Sequence, residues 1–149
     1  MAMMKRLMGI TLVAAPLLCA ASPSAFSLID TQGRNHTLEA HQGKWVLLNL
    51  WATWCAPCLN EMPELEALQQ SRSDLVVLGL AVDGQSPARV AQFAEKLHVR
   101  YPVIAGNEAM ARQFKARGYP TSILFDKNGR QVSVTEGAVT RQQVENMLR

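Results

Sequence analysis

Residues 51–58 read Trp-Ala-Thr-Trp-Cys-Ala-Pro-Cys and join two segments of different character. The preceding segment, Trp45 to Trp51, is apolar except for Asn49, which is typical of a strand that is covered on both faces. The following segment, Pro57 to Gln70, places apolar residues at every third position from Leu59 to Leu68, which predicts an amphipathic helix. We therefore expect the two cysteines where a buried strand ends and a helix begins.

The rest of the chain alternates strand and helix patterns in the same way. Strand patterns lie at 75–82, 102–105, 121–125 and 131–135. Helix patterns lie at 87–98 and 108–116, and a capping box of Thr140 and Gln143 opens a last helix. Two segments, 26–37 and the turn at 127–130, are typical of hairpins. This order predicts an α/β fold in which a mixed central sheet is flanked by helices and preceded by an N-terminal hairpin.

The N-terminus has the three-part layout of a secretory signal peptide. Met1 to Arg6 carries two positive charges, Leu7 to Leu18 is uncharged, and small residues follow from Ala20 to Ala25. The apolar run is shorter than the roughly 20 residues that span a bilayer. We expect a signal peptide over residues 1–21 and a single domain over residues 22–149.

Two other fates of this N-terminal segment stay open. One is retention as a membrane anchor. The other is a lipoprotein acylated at Cys19, although Leu18 before it is larger than such signals usually allow. All three fates place the domain outside the cytoplasm, in a periplasm or its equivalent, where disulfides persist.

The composition excludes several classes of protein. With 48% hydrophobic and 18% charged residues over 149 positions, the chain is neither disordered nor fibrous. The formal net charge is +3, and Lys5 and Arg6 contribute two of these charges within the targeting segment. The remaining +1 gives no electrostatic case for a nucleic-acid partner. Three cysteines cannot form a disulfide scaffold or supply four thiolates to zinc, so we expect no bound metal.

Cys55 and Cys58 have the spacing of a redox dithiol. A thiol at a helix N-terminus lies near backbone N–H groups and the positive end of the helix dipole, which stabilise its thiolate. A second thiol one turn along can attack a mixed disulfide formed by the first and close the ring. We therefore assign Cys55 as the attacking nucleophile and Cys58 as the resolving thiol. No tightly bound cofactor is implied, because the dithiol itself carries the electrons.

Other uses of the cysteine pair fit the sequence less well. A zinc site would draw on His36 and His41, but both precede the strand, in hairpin and loop sequence. Haem attachment requires a histidine directly after the second cysteine, and Leu59 stands there. A passive structural disulfide and a metal-binding or copper-delivery module stay open as alternatives.

At two places the sequence resembles the TlpA/ResA-like (DsbE-like) branch of the thioredoxin superfamily. These are Gly43 to Cys58 with the following Glu61-Met62-Pro63, and Gly118-Tyr119-Pro120-Thr121 with the following Leu124 to Gly129. The resemblance covers about residues 26–149. It implies a thioredoxin-like fold, with a central insertion within Asp83 to Ala116, and the activity of a periplasmic thiol–disulfide oxidoreductase.

The resemblance also assigns roles to further residues. Pro120 would be cis and lie against the dithiol, so that the backbone of Tyr119 can pair with an extended substrate chain. Asn49 stands where thioredoxin carries a buried proton-accepting acid, and an amide cannot accept that proton. Glu61 resembles the active-site glutamate of the branch and would help to deprotonate Cys58. The other interpretation of Glu61 is an ordinary first-turn acid that the helix dipole favours.

Tyr119 departs from the branch, which more often has a small or β-branched residue at that position. Either its side chain covers part of the dithiol and changes the potential and the choice of partner, or it is a surface ring that packs on Trp54. Trp54, Tyr119 and Pro120 are the expected substrate-binding residues. Glu64 and Glu66 are expected on the solvated face of the first helix.

The resemblance implies a monomer that reduces disulfides in periplasmic proteins and is re-reduced by a membrane thiol–disulfide electron donor. Substrates in the family include apocytochrome c before haem attachment and thiols that receive copper, and nothing in the sequence chooses between them. The reverse direction, a dithiol oxidase that forms disulfides, also stays open. A difference of ~30 mV in potential corresponds to only about 1.4 kcal/mol, which sequence cannot resolve.

Overall fold

Strands and helices alternate along the chain in the computed structural model, which describes residues 26–149. The strands are β1 (Ser27–Ile29), β2 (Asn35–Thr37), β3 (Trp45–Trp51), β4 (Leu75–Ala81), β5 (Val103–Ala105), β6 (Thr121–Phe125) and β7 (Gln131–Glu136). The helices are α1 (Ala56–Ser71), α2 (Pro87–Lys96), α3 (Glu108–Gln113) and α4 (Arg141–Met147), and a 3₁₀ turn spans Glu39–His41. None of these described helices has the length and apolar character needed to cross a membrane. The expected signal peptide, with Cys19, lies outside the described residues.

Within residues 26–149, five strands form the central sheet in the order β5-β4-β3-β6-β7. β3, β4 and β5 run parallel, whereas β6 pairs antiparallel with β3, and β7 antiparallel with β6. Parallel strands with helices on both faces consist of nearly continuous apolar residues, and β3 and β4 are buried along almost their whole length. The predicted mixed sheet is thus confirmed, and β1 and β2 form the separate N-terminal hairpin.

The expected central insertion is the segment that holds α2, β5 and α3, and it adds β5 to one edge of the sheet. The N-terminal hairpin contacts this insertion. The backbone N–H of Thr31 in the hairpin donates to the carbonyl of Val103 in β5 at 2.9 Å. Helices α2 and α3 both end earlier than predicted. The backbone enters the left-handed region at His98 (φ 55°) and Lys115 (φ 56°), which stops each helix just beyond its last turn.

All four helices begin with a side-chain cap that satisfies a free backbone N–H. Ser86 caps α2 and Asn107 caps α3. Thr140 caps α4 and forms the predicted capping box with Gln143. At α1 the capping atom is the sulfur of Cys55. Cys55 therefore lies at the N-terminus of α1, where its sulfur takes the place of the usual capping oxygen.

Candidate active site

The two cysteines form a disulfide at the start of α1. Cys55 is the N-cap residue, and the backbone N–H of Cys58 donates to its Sγ at 3.3 Å. Cys55 retains 5% exposure, whereas Cys58 is fully buried. The same N–H and the helix dipole favour negative charge on the Cys55 sulfur once the disulfide is reduced.

Two aromatic side chains join the cysteine loop to the loop before β6. Trp54, directly before Cys55, is 70% exposed. The ring of Tyr119 meets it edge-on, with ring centroids 6.4 Å apart and ring planes at 70°. The Tyr119–Pro120 peptide bond is cis, as the resemblance implies. Tyr119 therefore packs on Trp54, which agrees with one of its two sequence interpretations.

The backbone around Pro120 is only partly engaged. The carbonyl of Pro120 accepts from the N–H of Gly137 at 2.8 Å, and the hydroxyl of Thr121 donates to the carbonyl of Gly118 at 2.7 Å. Among residues 26–149, no group hydrogen-bonds to the backbone N–H or carbonyl of Tyr119. These two groups thus form no hydrogen bond within the described domain.

Glu61 is buried on α1, one turn after Cys58, with 4% exposure. Its Oε1 accepts from Nδ2 of Asn49 at 2.6 Å, and its Oε2 accepts from the N–H of Val139 at 2.8 Å. Burial raises the pKa of the Glu61 carboxyl, and the hydrogen bonds from Val139 and Asn49 oppose this rise without cancelling it. A solvated first-turn acid would have neither this burial nor these partners, so the helix dipole alone does not account for Glu61.

Asp83 fixes the loop before Cys55, a role that the sequence analysis missed. Its Oδ2 accepts from the N–H of Thr53 at 3.1 Å and from the hydroxyl of Thr53 at 2.6 Å. The available signal was its position shortly after β4, whose end lies beside the end of β3 because the two strands are parallel and in register.

The prediction that Glu66 lies on a solvated face is wrong, whereas Glu64 is exposed as expected. Glu66 is 7% exposed, and its Oε2 accepts from the backbone N–H of Arg100 at 2.8 Å and of Tyr101 at 3.0 Å. The chain that runs from α2 to β5 covers this side of α1. Glu66 therefore ties the active-site helix to the insertion.

The two histidines that a zinc site would need are paired elsewhere. His36 Nδ1 lies 3.1 Å from His41 Nε2, and His36 Nε2 lies 2.9 Å from Asp30 Oδ2. Both ring nitrogens of His36 are thus engaged within the hairpin region. This residue has no nitrogen left for an ion held by the cysteines.

A disulfide that caps the helix following the central strand of a mixed sheet, together with a cis-proline loop, defines the thioredoxin-like thiol–disulfide oxidoreductases. The model of the AhpC/TSA family matches residues 20–132, and the chain belongs to this family. Both the predicted resemblance and the predicted class of activity are confirmed, because curated relatives carry that activity in their names.

Three similar proteins illustrate the relationship. The thiol-disulfide oxidoreductase ResA of Geobacillus thermodenitrificans is 34% identical over 125 residues, which cover 83% of this chain and 72% of that protein. A DsbF homologue from Corynebacterium diphtheriae superposes with a TM-score of 0.76 at 26% identity, over 91% of this chain and 90% of that chain. The exposed lipoprotein thioredoxin Etrx1 of Streptococcus pneumoniae superposes with a TM-score of 0.71 at 27% identity, over 83% of this chain and 97% of that chain.

Proposed function

We propose that this protein reduces disulfides in exported proteins, with Cys55 as the nucleophile, Cys58 as the resolving thiol and Glu61 as the proton acceptor for Cys58. The arrangement along α1 carries the proposal. A backbone N–H is aimed at the sulfur of Cys55, and a buried carboxylate lies one turn after Cys58. The backbone N–H would stabilise the Cys55 thiolate, and the Glu61 carboxylate would take the proton of Cys58.

In the first step the Cys55 thiolate attacks one sulfur of a substrate disulfide. A bond forms between Cys55 and that sulfur, the substrate's own S–S bond breaks, and the departing sulfur leaves as a thiolate that takes a proton from solvent. The helix N-terminus favours charge on Cys55, which supports Cys55 as the attacking group. The full burial of Cys58 supports the same order, because a protein substrate has access to Cys55 first.

In the second step Cys58 gives its proton to the Glu61 carboxylate and attacks the Cys55 sulfur. The Cys55–Cys58 disulfide forms, the bond to the substrate breaks, and the substrate leaves with two electrons from the protein dithiol. Burial raises the pKa of Glu61 towards that of a thiol, which makes this proton transfer less unfavourable.

Trp54, Tyr119 and Pro120 are the proposed substrate-binding residues. The exposed ring of Trp54 would contact side chains beside the substrate cysteine. The free backbone N–H and carbonyl of Tyr119 would pair with an extended substrate segment, as in other strand-addition complexes.

The domain, residues 22–149, is proposed to act outside the cytoplasm as a monomer. The charged, apolar and small-residue layout of residues 1–25 supports export, and the pneumococcal relative is described as an exposed lipoprotein. Each turnover leaves the dithiol oxidised, so a membrane thiol–disulfide donor would return two electrons. Candidate substrates are apocytochrome c and proteins whose thiols receive copper.

Trapping tests the assignment of the two cysteines. Cys58→Ser should accumulate mixed disulfides through Cys55, because the resolving thiol is gone. These adducts appear as reductant-sensitive bands on non-reducing gels. Cys55→Ser is the matched control and should trap little. If Cys55→Ser traps substrates and Cys58→Ser does not, the nucleophile is Cys58 and the assignment is wrong.

The reduction potential tests the direction of the reaction. Glutathione and dithiothreitol buffers set the ambient reduction potential. Tryptophan fluorescence reports the fraction of oxidised protein, because Trp54 adjoins Cys55. A value below about −220 mV, towards that of thioredoxin at ~−270 mV, is expected for a reductase. A value near −120 mV would make the protein a dithiol oxidase. A disulfide that fails to exchange, with copper or zinc retained stoichiometrically, would favour a metal-binding module instead.

A further inference from the structure

Three buried polar atoms on the α1 side of the sheet have no hydrogen-bond partner within residues 26–149. They are Oδ1 of Asn49, Nε1 of Trp51 and the hydroxyl oxygen of Tyr101, and a fourth such atom, Oδ1 of Asp83, follows β4. Buried polar groups in folded proteins are nearly always paired, with protein or with ordered water. Three such atoms in one region therefore require a common explanation.

The three side chains that carry these atoms lie around Gly79. A Cβ on Gly79 would lie 3.0 Å from Cε2 of Tyr101 and 3.2 Å from Nε1 of Trp51, so the two rings meet above the bare backbone of Gly79. Asn49 is the register partner of Gly79 on β3. Its Nδ2 donates both to Glu61 and to Ser122 on β6, whereas its Oδ1 has no partner. We call these three unpartnered polar atoms beside Gly79 the Gly79 site.

Glu61 borders the Gly79 site. Its Oε1 accepts from Asn49, and each of its two oxygens has one protein donor, which leaves room for a further hydrogen bond. Burial first, and then the charges of Glu61 and Glu66, raise the pKa of Tyr101. Within residues 26–149 the phenol oxygen forms no direct hydrogen bond with Glu61 or with any other group.

Tyr101 is held in this position from its own backbone. Its N–H donates to Oε2 of Glu66 at 3.0 Å, and its side chain is enclosed, with 2% exposure. The buried carboxylate of Glu66 therefore fixes the backbone of Tyr101 against α1. The ring of Tyr101 extends from there to Gly79, where it lies near Trp51.

We propose that the Gly79 site binds a water molecule that hydrogen-bonds to the Glu61 carboxylate, and that Tyr101 is the positioning residue for this water. The polar atoms present match the four hydrogen bonds of water. The N–H of Trp51 and the O–H of Tyr101 donate to its oxygen, and its two protons go to Oδ1 of Asn49 and to Glu61. A water with this many partners is a stable part of a protein interior.

This water deepens the proposed function and rests on Glu61 as the proton acceptor. A donor to the carboxylate favours its ionised form, so the water counteracts burial and keeps Glu61 able to take the proton of Cys58. The groups that face Glu61 are Cys58 on α1, Asn49 on β3, the N–H of Val139 before α4, and the phenol of Tyr101 before β5. Of these, Tyr101 acts only through the water.

Tyr101→Phe tests the proposal with little change in shape. In the oxidised protein, where neither cysteine titrates, carbon-13 NMR follows the Glu61 carboxyl directly. We expect its pKa to rise by about one pH unit, the size of one hydrogen bond to a charged group. Leu28→Ala in the hairpin is the control, because it should destabilise the fold without moving this titration. An unchanged Glu61 titration in folded Tyr101→Phe would overturn the proposal.

Two further measurements keep the test decisive if Tyr101→Phe folds poorly. Gly79→Ala puts a methyl group into the site and should raise the Glu61 pKa in the same direction. A high-resolution crystal structure of the oxidised wild-type protein should show density for the water within hydrogen-bonding distance of Tyr101 and Glu61. A dry site there would refute the proposal whatever the variants do.

Kinetics separate this inference from the proposed function. The pH midpoint for resolution by Cys58 should move upwards in Tyr101→Phe together with the Glu61 titration. If Glu61→Gln leaves resolution unchanged, the proton-acceptor role fails, while the titration in the oxidised protein still tests the water. If Glu61→Gln slows resolution but Tyr101→Phe leaves the pH midpoint unchanged, only the role of Tyr101 fails.

Discussion

Glu61 and Asp30 are both buried carboxyl groups, but their partners give them opposite protonation behaviour. Burial favours the neutral form of each. At Asp30, hydrogen bonds from the His36 side chain, from the backbone N–H and guanidinium of Arg34 and from the backbone N–H of Gln32 outweigh burial and lower the pKa to about 2. At Glu61 the donors are two neutral amide N–H groups, so burial prevails and the pKa is raised. Asp30 has four hydrogen-bond donors and Glu61 has two, so only at Asp30 do the hydrogen bonds outweigh burial.

Glu61→Gln should therefore remove a pH dependence of stability. The folded pKa of Glu61 lies above its unfolded value of 4.5, so its contribution is fully present below pH 4.5 and is lost as the pH rises through the folded pKa. Over that range the free energy of unfolding of the wild type should fall relative to that of the variant. Urea denaturation between about pH 4 and 8 measures this difference, and parallel pH curves would contradict it.

Among the elements, β3 and β4 are where sequence and structure agree most closely. β3 has the predicted bounds, and β4 ends one residue before its predicted limit. Both are buried along almost their whole length, and a strand that is covered on both faces gives a continuous apolar run whose ends can be read from the sequence. The cysteine pair was placed correctly for the same reason, because the strand and the helix that meet there both have strong patterns.

Long-range packing accounts for what the sequence did not reveal. The threefold spacing of apolar residues on α1 marks one face, but Glu66 is buried by a segment that lies far along the chain and that its local pattern does not report. Tyr101 and Gly79 likewise come into contact only when the insertion packs against the sheet, and neither residue has a local pattern that predicts this contact. The exact ends of α2 and α3 depend on left-handed residues, which are not glycines and so gave no local signal.

Glu66→Ala should destabilise the protein much more than the same change at Glu64. Glu66 accepts from two backbone N–H groups, of which that of Tyr101 is buried, so its loss should cost about 2–4 kcal/mol. Glu64 is exposed on the same helix, and its loss should cost no more than about 0.5 kcal/mol. Urea denaturation compares the two variants. Equal losses would mean that α1 is not anchored through Glu66.

At the scale of the whole molecule, the turn of the N-terminal hairpin is held together by a buried carboxylate. The side chain of Asp30 is 1% exposed and accepts from Arg34 at 2.8 Å and from His36 at 2.9 Å. The next residue, Thr31, bonds to β5. Protonation of Asp30 should therefore loosen the turn that positions Thr31 against β5.

Acid should unfold the wild type in a way that Asp30→Asn does not reproduce. The pKa of Asp30 is lowered from 3.8 to about 2, so its contribution is present above pH 3.8 and is lost as the pH falls towards 2. The loss amounts to about 2 kcal/mol. Circular dichroism in urea between about pH 5 and 2 would measure it. The same acid dependence in Asp30→Asn would show that other carboxyl groups are responsible.

Folding and disulfide formation are thermodynamically coupled in this chain, because each changes the free energy of the other. The N–H of Cys58 aimed at the Cys55 sulfur gains strength when that sulfur becomes a thiolate, so folding stabilises the dithiol by that interaction. The difference between the unfolding free energies of the reduced and oxidised forms, divided by the charge of the two transferred electrons, equals the change that folding makes in the reduction potential of the cysteines. If the disulfide form is the more stable of the two, folding makes the dithiol a better reductant, and two denaturation curves would indicate the direction of electron flow before any partner is found.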